Sequence, residues 1–309
     1  MSHGGHGVKP SKSSGLQSLH GLIVAAHGKH FIAELDDQRR ITCVTRGKKT
    51  GVACGDHVEI ALTSPDQGVI ERIAPRSSLL YRSDLYREKI IAANVDQIVI
   101  VVAAVPSFYE ELINRCLVAA ESVGIRALIV LNKTDLPETA AARDTLALYE
   151  TLGYPLLTLC ARQDVAPLKA HLLGLTSVLV GQSGMGKSTL INALLPEARA
   201  REGEVSTALD SGKHTTTHAL LYHLDADSHI IDSPGLQEFG LHHLNVEDIA
   251  QTFIEFRPYL GHCRFSNCLH LVEPGCAVDE AAKSGAINPR RLCFYRALAQ
   301  EKLRAPRIY

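Results

Sequence analysis

The chain has 309 residues, room for two or three domains of about 100–150 residues each. Its 46% hydrophobic and 21% charged residues match an ordinary soluble globular protein, and a formal net charge of −1 means that any case for nucleic acid must be local. The longest apolar run, residues 98–105, is far short of the ~20 residues that span a bilayer. The N-terminal text also lacks the apolar core of a signal peptide, so a cytoplasmic protein with no membrane partner is expected. A reducing cytosol argues against the eight cysteines forming a disulfide framework.

Residues 1–19 are rich in Gly, Ser, His and Lys and read as a disordered tail. Residues 20–79 read as short strands with turns: GLIVAAHGKHFIAEL, RRITCVTRG, DHVEIAL and GVIERIA. Five such strands fit a small antiparallel barrel of the OB-fold type, although SH3-like barrels read similarly. Residues 75–94 are charged and read as a connecting segment. From Asp96 the texture changes: DQIVIVVAAV is a strand buried on both faces, and strands then alternate with helical patterns. That alternation predicts an α/β doubly wound domain over residues 80–245. Residues 246–309 read as helical, interrupted by a Cys/His stretch and ending in a helix over residues 288–304.

Gly181-Gln182-Ser183-Gly184-Met185-Gly186-Lys187-Ser188, with Thr189 after it, matches the phosphate loop G-x-x-x-x-G-K-[ST]. It follows the strand SVLV and opens the helix STLINALL, the context the motif requires. Its glycines let backbone N–H groups turn toward phosphates, and the helix N-terminus favours anions. Lys187 is expected on the β- and γ-phosphates and Ser188 on Mg²⁺. The base is set by Asn132-Lys133-Thr134-Asp135, at a strand end where α/β ligand sites lie. A carboxylate at Asp135 accepts from the ring N–H and exocyclic amine of guanine, whereas adenine would leave it unpaired. Lys133 can pack on the purine and Asn132 can tie loops together. Cys160-Ala161 stands where a backbone N–H would touch the guanine oxygen, with Cys for the commoner Ser.

Asp232-Ser233-Pro234-Gly235 fits D-x-x-G, with Asp232 on Mg²⁺ and the Gly235 N–H sensing the γ-phosphate. Upstream, residues 212–217 read GKHTTT; Thr216, or else Thr215, is expected to ligate Mg²⁺ only when the γ-phosphate is present. A GTP/GDP site with Mg²⁺ follows, with its parts out of the usual order. NKTD precedes the phosphate loop and DSPG comes last, which one sheet accommodates if the chain is circularly permuted. The second switch then lies near the end of the domain and needs an anchor. Cys263-x4-Cys268-x-His270-x5-Cys276 supplies it: three thiolates and one imidazole are a closed structural Zn²⁺ set, one ion per chain. Cys43, Cys54, Cys116 and Cys293 lack partners at ligand spacing and read as packing residues.

With NKTD, GQSGMGKST, GKHTTT, IDSPGLQEFGL and C-x4-C-x-H-x5-C in that order, the chain resembles the ribosome small-subunit-dependent GTPase A (RsgA) family over residues 20–304. The resemblance implies an OB-fold, a permuted GTPase domain and a helical zinc-binding domain. It also implies a role in late maturation of the small ribosomal subunit, with hydrolysis stimulated by that subunit. The partners implied are that subunit, its rRNA and GTP/GDP, and a monomer is expected. Arg39, Arg40, Arg46, Lys48 and Lys49, with no acid among residues 39–49, suit an RNA backbone or else form a solvated face. Phe31 is a candidate stacking platform. The alternative reading is a nucleotide-gated RNA- or protein-binding delivery factor whose hydrolysis is incidental. A different permuted GTPase, of large-subunit assembly, fits the barrel and the zinc set less well.

One catalytic group is missing. Ras-like proteins carry a water-orienting Gln just after the D-x-x-G glycine, and here that position is Leu236. His214, His218, His242 and His243 lie in or beside the switches. His243 is the chosen candidate, since the resemblance puts a histidine at this place. The alternatives are that His243 packs against or caps the following helix, or that rRNA or a ribosomal protein supplies the group in trans.

Overall fold

The computed structural model describes residues 18–47, 51–82, 89–196, 219–233 and 239–304. The N-terminal part is a closed barrel of five strands: β1 (Ser18–His27), β2 (His30–Leu35), β3 (Arg40–Thr45), β4 (His57–Ser64) and β5 (Gln67–Ile73). The pairing runs β1-β2-β3-β5-β4 and returns to β1, with β3 and β5 parallel and the other pairs antiparallel. This is the OB-like arrangement expected from the sequence. Alternation along the strands sends Ile23, Phe31, Ala33, Ile41, Cys43, Val58, Ile60 and Ile70 into the barrel core. Phe31 is only 5% exposed, so it packs the barrel and cannot serve as a stacking platform.

The connecting segment contains structure that its charges conceal. β6 (Leu79–Arg82) and β7 (Lys89–Ala93) form an antiparallel pair, with Leu80, Ile91 and Ala92 buried. Ser78 Oγ donates to the Val95 carbonyl and accepts from the Val95 N–H, both at 2.7 Å, which fixes the exit into the next domain.

The GTPase domain alternates strand and helix as its apolar runs predict. Its elements are β8 (Gln97–Ala103), α1 (Glu110–Val123), β9 (Arg126–Asn132), α2 (Thr139–Thr151), β10 (Leu156–Thr158), α3 (Ala166–Leu172), β11 (Thr176–Val180), α4 (Lys187–Leu194), β12 (Ala219–His223) and β13 (His229–Asp232). The sheet order is β10-β9-β8-β11-β13-β12, parallel apart from β12. β8 is buried along its whole length, the signature of a central strand covered on both faces. Val99, Val101, Leu128 and Leu179 face α3 and α4 on one side. Ile98, Ile100, Ile129 and Leu131 face α1, α2 and the C-terminal helices on the other.

The C-terminal part holds α5 (Val246–Thr252), α6 (Ala277–Lys283) and α7 (Pro289–Arg304). Asn245 and Asp248 make a capping box at the start of α5. Arg291 on α7 is 1% exposed; it pairs with Glu255 at 2.6 Å, bonds Asn114 of α1, and lies over the Phe253 ring at 4.4 Å. A buried pair of this kind is costly to break from one side, by about 3–5 kcal/mol, because the other charge is left alone.

Candidate functional site

The strands β8, β9, β11 and β13 end together at Ala103, Asn132, Val180 and Asp232, and the signature loops leave from that edge. The phosphate loop is shaped by its neighbours as much as by its own glycines. Gly181 lies so close to β8 that a Cβ would sit 2.3 Å from the Val101 carbonyl oxygen. Gly186, at φ 94°, approaches Asn132 so closely that a Cβ would be 2.3 Å from Nδ2. α4 starts immediately after it, placing Lys187, Ser188 and Thr189 in the first turn. Lys187 Nζ donates to the carbonyls of Gly181 at 2.5 Å and Gln182 at 3.0 Å, folding back over the loop. Burial pulls its ammonium below the usual lysine range, and the Asp232 carboxylate works in the opposite direction.

Asn132 joins three loops. Its Nδ2 donates to the Met185 carbonyl at 2.9 Å, and its Oδ1 accepts from the Ala161 N–H at 3.0 Å. The side chain is 2% exposed, so both bonds lie away from water, where an unmade one would be expensive. Lys133 sits at φ 62° and sends Nζ to the Val105 carbonyl at 2.8 Å. The Thr134 N–H bonds the Leu159 carbonyl at 3.3 Å. Asp135 stays exposed, and the Cys160 thiol donates to its Oδ1 at 3.2 Å. That bond is the main reason the carboxyl is held below the usual range. The residue that replaces the commoner Ser therefore keeps a side-chain donor beside the Asp135 carboxylate, which spacing alone does not reveal.

A further loop, without a motif of its own, reaches the site. The stretch between β8 and α1 touches both the base and the phosphate loops: Val105 through Lys133, Pro106 against Gly184, and the Tyr109 N–H donating to Gln182 Oε1 at 3.1 Å. A cleft of about 450 Å³ opens between this loop, α1 and the phosphate loop, lined by Ser107, Tyr109, Arg115, Gln182 and Ser183 among others. The position after a buried parallel strand is the only signal in the sequence, since the residues themselves form no motif.

Cys263, Cys268, His270 and Cys276 come together with their ligand atoms within 4.8 Å of one another. His270 Nδ1 lies 3.5, 3.6 and 3.4 Å from the Cys263, Cys268 and Cys276 sulfurs. A tetrahedral Zn²⁺ with bonds of about 2.3 Å to sulfur and 2.0–2.1 Å to nitrogen has N···S edges of about 3.6 Å, so the donor set fits that ion. The shell around it is prepared: the Ala277 N–H faces Cys263 Sγ, Arg296 Nε holds the His270 carbonyl, and Glu273 accepts three backbone N–H groups. Among the other cysteines, Cys43, Cys54 and Cys116 are buried as expected, while Cys293 is exposed.

His243 is exposed, and its ring lies against Tyr81 of β6 with centroids 5.0 Å apart. Capping of α5 belongs to Asn245, which removes one alternative role for His243. Thr215, Thr216, His214, His218, Gly235 and Leu236 lie outside the described residues. On the barrel, Arg39 pairs with Asp37, Arg40 with Glu34 and Arg46 with Glu71, while Lys48 and Lys49 lie outside the described residues. The run without acids in sequence thus meets acids in space.

The RsgA GTPase family matches residues 73–242. The small ribosomal subunit biogenesis GTPase RsgA of Nitrosospira multiformis is 59% identical over 291 residues, covering 94% of this chain and 92% of that protein. Its namesake from Neisseria meningitidis serogroup B is 52% identical over 279 residues, covering 90% and 91%. Among solved structures, YjeQ from Thermotoga maritima aligns with a TM-score of 0.70 at 30% identity, covering 94% of this chain and 100% of that one. YloQ, described as a circularly permuted GTPase, aligns at 0.69 and 27% identity, covering 96% and 100%.

Proposed function

The chain belongs to the RsgA GTPase family, and on that premise we propose that it hydrolyses GTP while bound to the small ribosomal subunit, late in that subunit's maturation, and that the subunit stimulates turnover. The observation that carries this reading is Asn132, whose two buried bonds draw the guanine-specificity, phosphate and Cys160-Ala161 loops to one edge of a permuted sheet. The Asp135 carboxylate reads the guanine edge, the Lys133 stem packs on the purine face, and the backbone of residues 181–189 cradles the phosphates. Lys187, now folded onto the Gly181 and Gln182 carbonyls, exchanges those acceptors for β- and γ-phosphate oxygens. Ser188, Thr216 and Asp232 hold Mg²⁺, which neutralises charge on the phosphates. The Gly235 N–H senses the γ-phosphate, and His243 orients the attacking water when the partner docks.

The Cys₃His cluster holds one structural zinc that fixes the C-terminal part as an anchor for the second switch. The barrel at residues 20–79 faces rRNA, and the chain acts in the cytoplasm as a monomer. No helix among the described residues is long and apolar enough to cross a membrane. GTP turnover measured with and without purified small subunits tests the proposal. A rise of tenfold or more is expected, while equal rates would leave a nucleotide-gated delivery factor with incidental hydrolysis.

A further inference from the structure

The barrel and the GTPase sheet form a single eleven-stranded sheet, and the strand that fuses them is β12. On one side β12 pairs with barrel strand β1, Ala26 opposite Ala219 and Ala25 opposite Leu220. On the other side it pairs with β13, from Leu220 opposite Asp232 to His223 opposite His229. The site end of this hairpin carries both switch-flanking loops: β12 begins two residues after Thr217, and β13 ends on Asp232. β1 is therefore joined by main-chain pairing to the strand that follows the threonine loop in the chain.

At the far end of β12 a side-chain clamp holds the same joint. His223 Nε2 lies 2.8 Å from Glu34 Oε1 on barrel strand β2. That nitrogen is buried and makes no aligned hydrogen bond, and the Glu34 carboxylate is the polar group set against it. Arg40 Nε, on β3, holds the other Glu34 oxygen at 2.9 Å and fixes the carboxylate in place. On the opposite side, His223 Nδ1 is 3.0 Å from His229 Nδ1, and the rings meet edge to face with centroids 4.8 Å apart. Only one hydrogen fits between two nitrogens at that distance, so one ring donates and the other accepts. Burial, then the neighbouring His223, lowers His229 below the ordinary histidine range, which favours its neutral form. Glu34, His223 and His229 thus run in series from the barrel, across β12, to β13.

We propose that Glu34, His223 and His229 are positioning residues through which the barrel sets the geometry of the switch-flanking strands, so that a subunit held by the barrel is felt at the GTP site. The inference rests on the functional reading above, in which residues 215–217 and Asp232 act at the phosphates. None of the three touches the nucleotide. Their effect is on how the loops are held when the partner docks, which is a coupling between two sites and is measurable as one.

The test uses the full chain, GTP and purified small subunits, with Glu34→Gln, His223→Ala, His223→Gln and the double variant Glu34→Gln/His223→Ala. Thermal unfolding first establishes that each is folded. Basal turnover, the KM for GTP and subunit affinity should stay within about twofold of wild type, while stimulated kcat falls about tenfold or more in Glu34→Gln and His223→Ala. The double variant should lose no more than the worse single one, because both break the same series of contacts. His223→Gln, whose amide keeps a polar group facing Glu34, should recover part of the stimulated rate. Unchanged stimulation in both single variants, or losses that multiply in the double, would overturn the proposal. A fall in subunit affinity that accounts for the whole loss would also overturn it, since the clamp would then serve docking alone. A wild-type chain that small subunits do not stimulate removes the functional reading and this inference with it. Stimulation that is intact in wild type and in every variant removes only the inference.

Discussion

Asn132 illustrates how much of this site is decided by single side chains. Its amide bonds both the Met185 carbonyl and the Ala161 N–H, so the loops of residues 132–135, 160–161 and 181–189 share one buried residue. Asp135 beside it is exposed and ionised, oriented by the Cys160 thiol. Asp135→Asn should therefore weaken GTP binding and favour xanthosine triphosphate, whose extra carbonyl takes a donor. Unchanged GTP affinity in a direct titration would count against the assignment. The His243 ring rests on Tyr81 at the surface. His243→Ala should leave GTP and subunit binding intact and cut stimulated turnover more than tenfold, about 1.4 kcal/mol in the barrier. Stimulated turnover within about twofold or threefold of wild type would assign the water-orienting group to the partner instead.

At the scale of elements, the Cys₃His cluster and the helices around it are tied into one unit. The loop of residues 263–276 is tied to α7 by Arg296 on the His270 carbonyl and by Tyr295 on the Leu269 carbonyl. The α7 helix is in turn locked to α1 through Arg291 and Asn114. Structural zinc supplies roughly 10–16 kcal/mol of apparent free energy in isolated peptides, so on the proposed zinc reading the metal would be ample to hold helices as short as α6. Chelation, or Cys268→Ala, should lower the melting temperature of the C-terminal part and blunt stimulated turnover. Nucleotide binding should largely survive, because its loops leave the ends of the strands and not the face that the C-terminal helices cover. Elemental analysis showing no zinc in protein purified without chelator would refute the assignment.

Across the whole molecule, charge is arranged differently in space than along the chain. The basic run of β3 and the loop after it reads as uncompensated, yet Glu34 and Glu71 on neighbouring strands reach Arg40 and Arg46. Exposed pairs of this kind are worth roughly 0.2–1 kcal/mol, so they soften the positive surface without abolishing it. Arg46 is the most open, at 78% side-chain exposure. Replacing Arg46, Lys48 and Lys49 together by Gln should weaken small-subunit binding and flatten its dependence on salt, with GTP affinity unchanged. Subunit binding that survives intact at physiological salt would reduce the run to a solvated face.

The sequence by itself determined the chemistry and the order of parts. The phosphate loop, NKTD, DSPG and the Cys/His spacing each need particular residue types at particular intervals, and those are local facts. The continuous apolar run of β8 likewise fixed a doubly covered strand. Tertiary structure decided what depends on distant partners. The charged flanks of residues 82–89 hid a hairpin whose apolar sides are recognised only once Leu80 and Ile91 meet the core. Phe31 could be placed inside or outside the barrel only after closure fixed which face was in. The β8–α1 loop gained its place at the nucleotide site from contacts with Lys133, Gln182 and Gly184, all far along the chain. The fusion of barrel to sheet through β12 has no local signature at all, because edge pairing is main-chain hydrogen bonding and any strand of suitable shape can supply it.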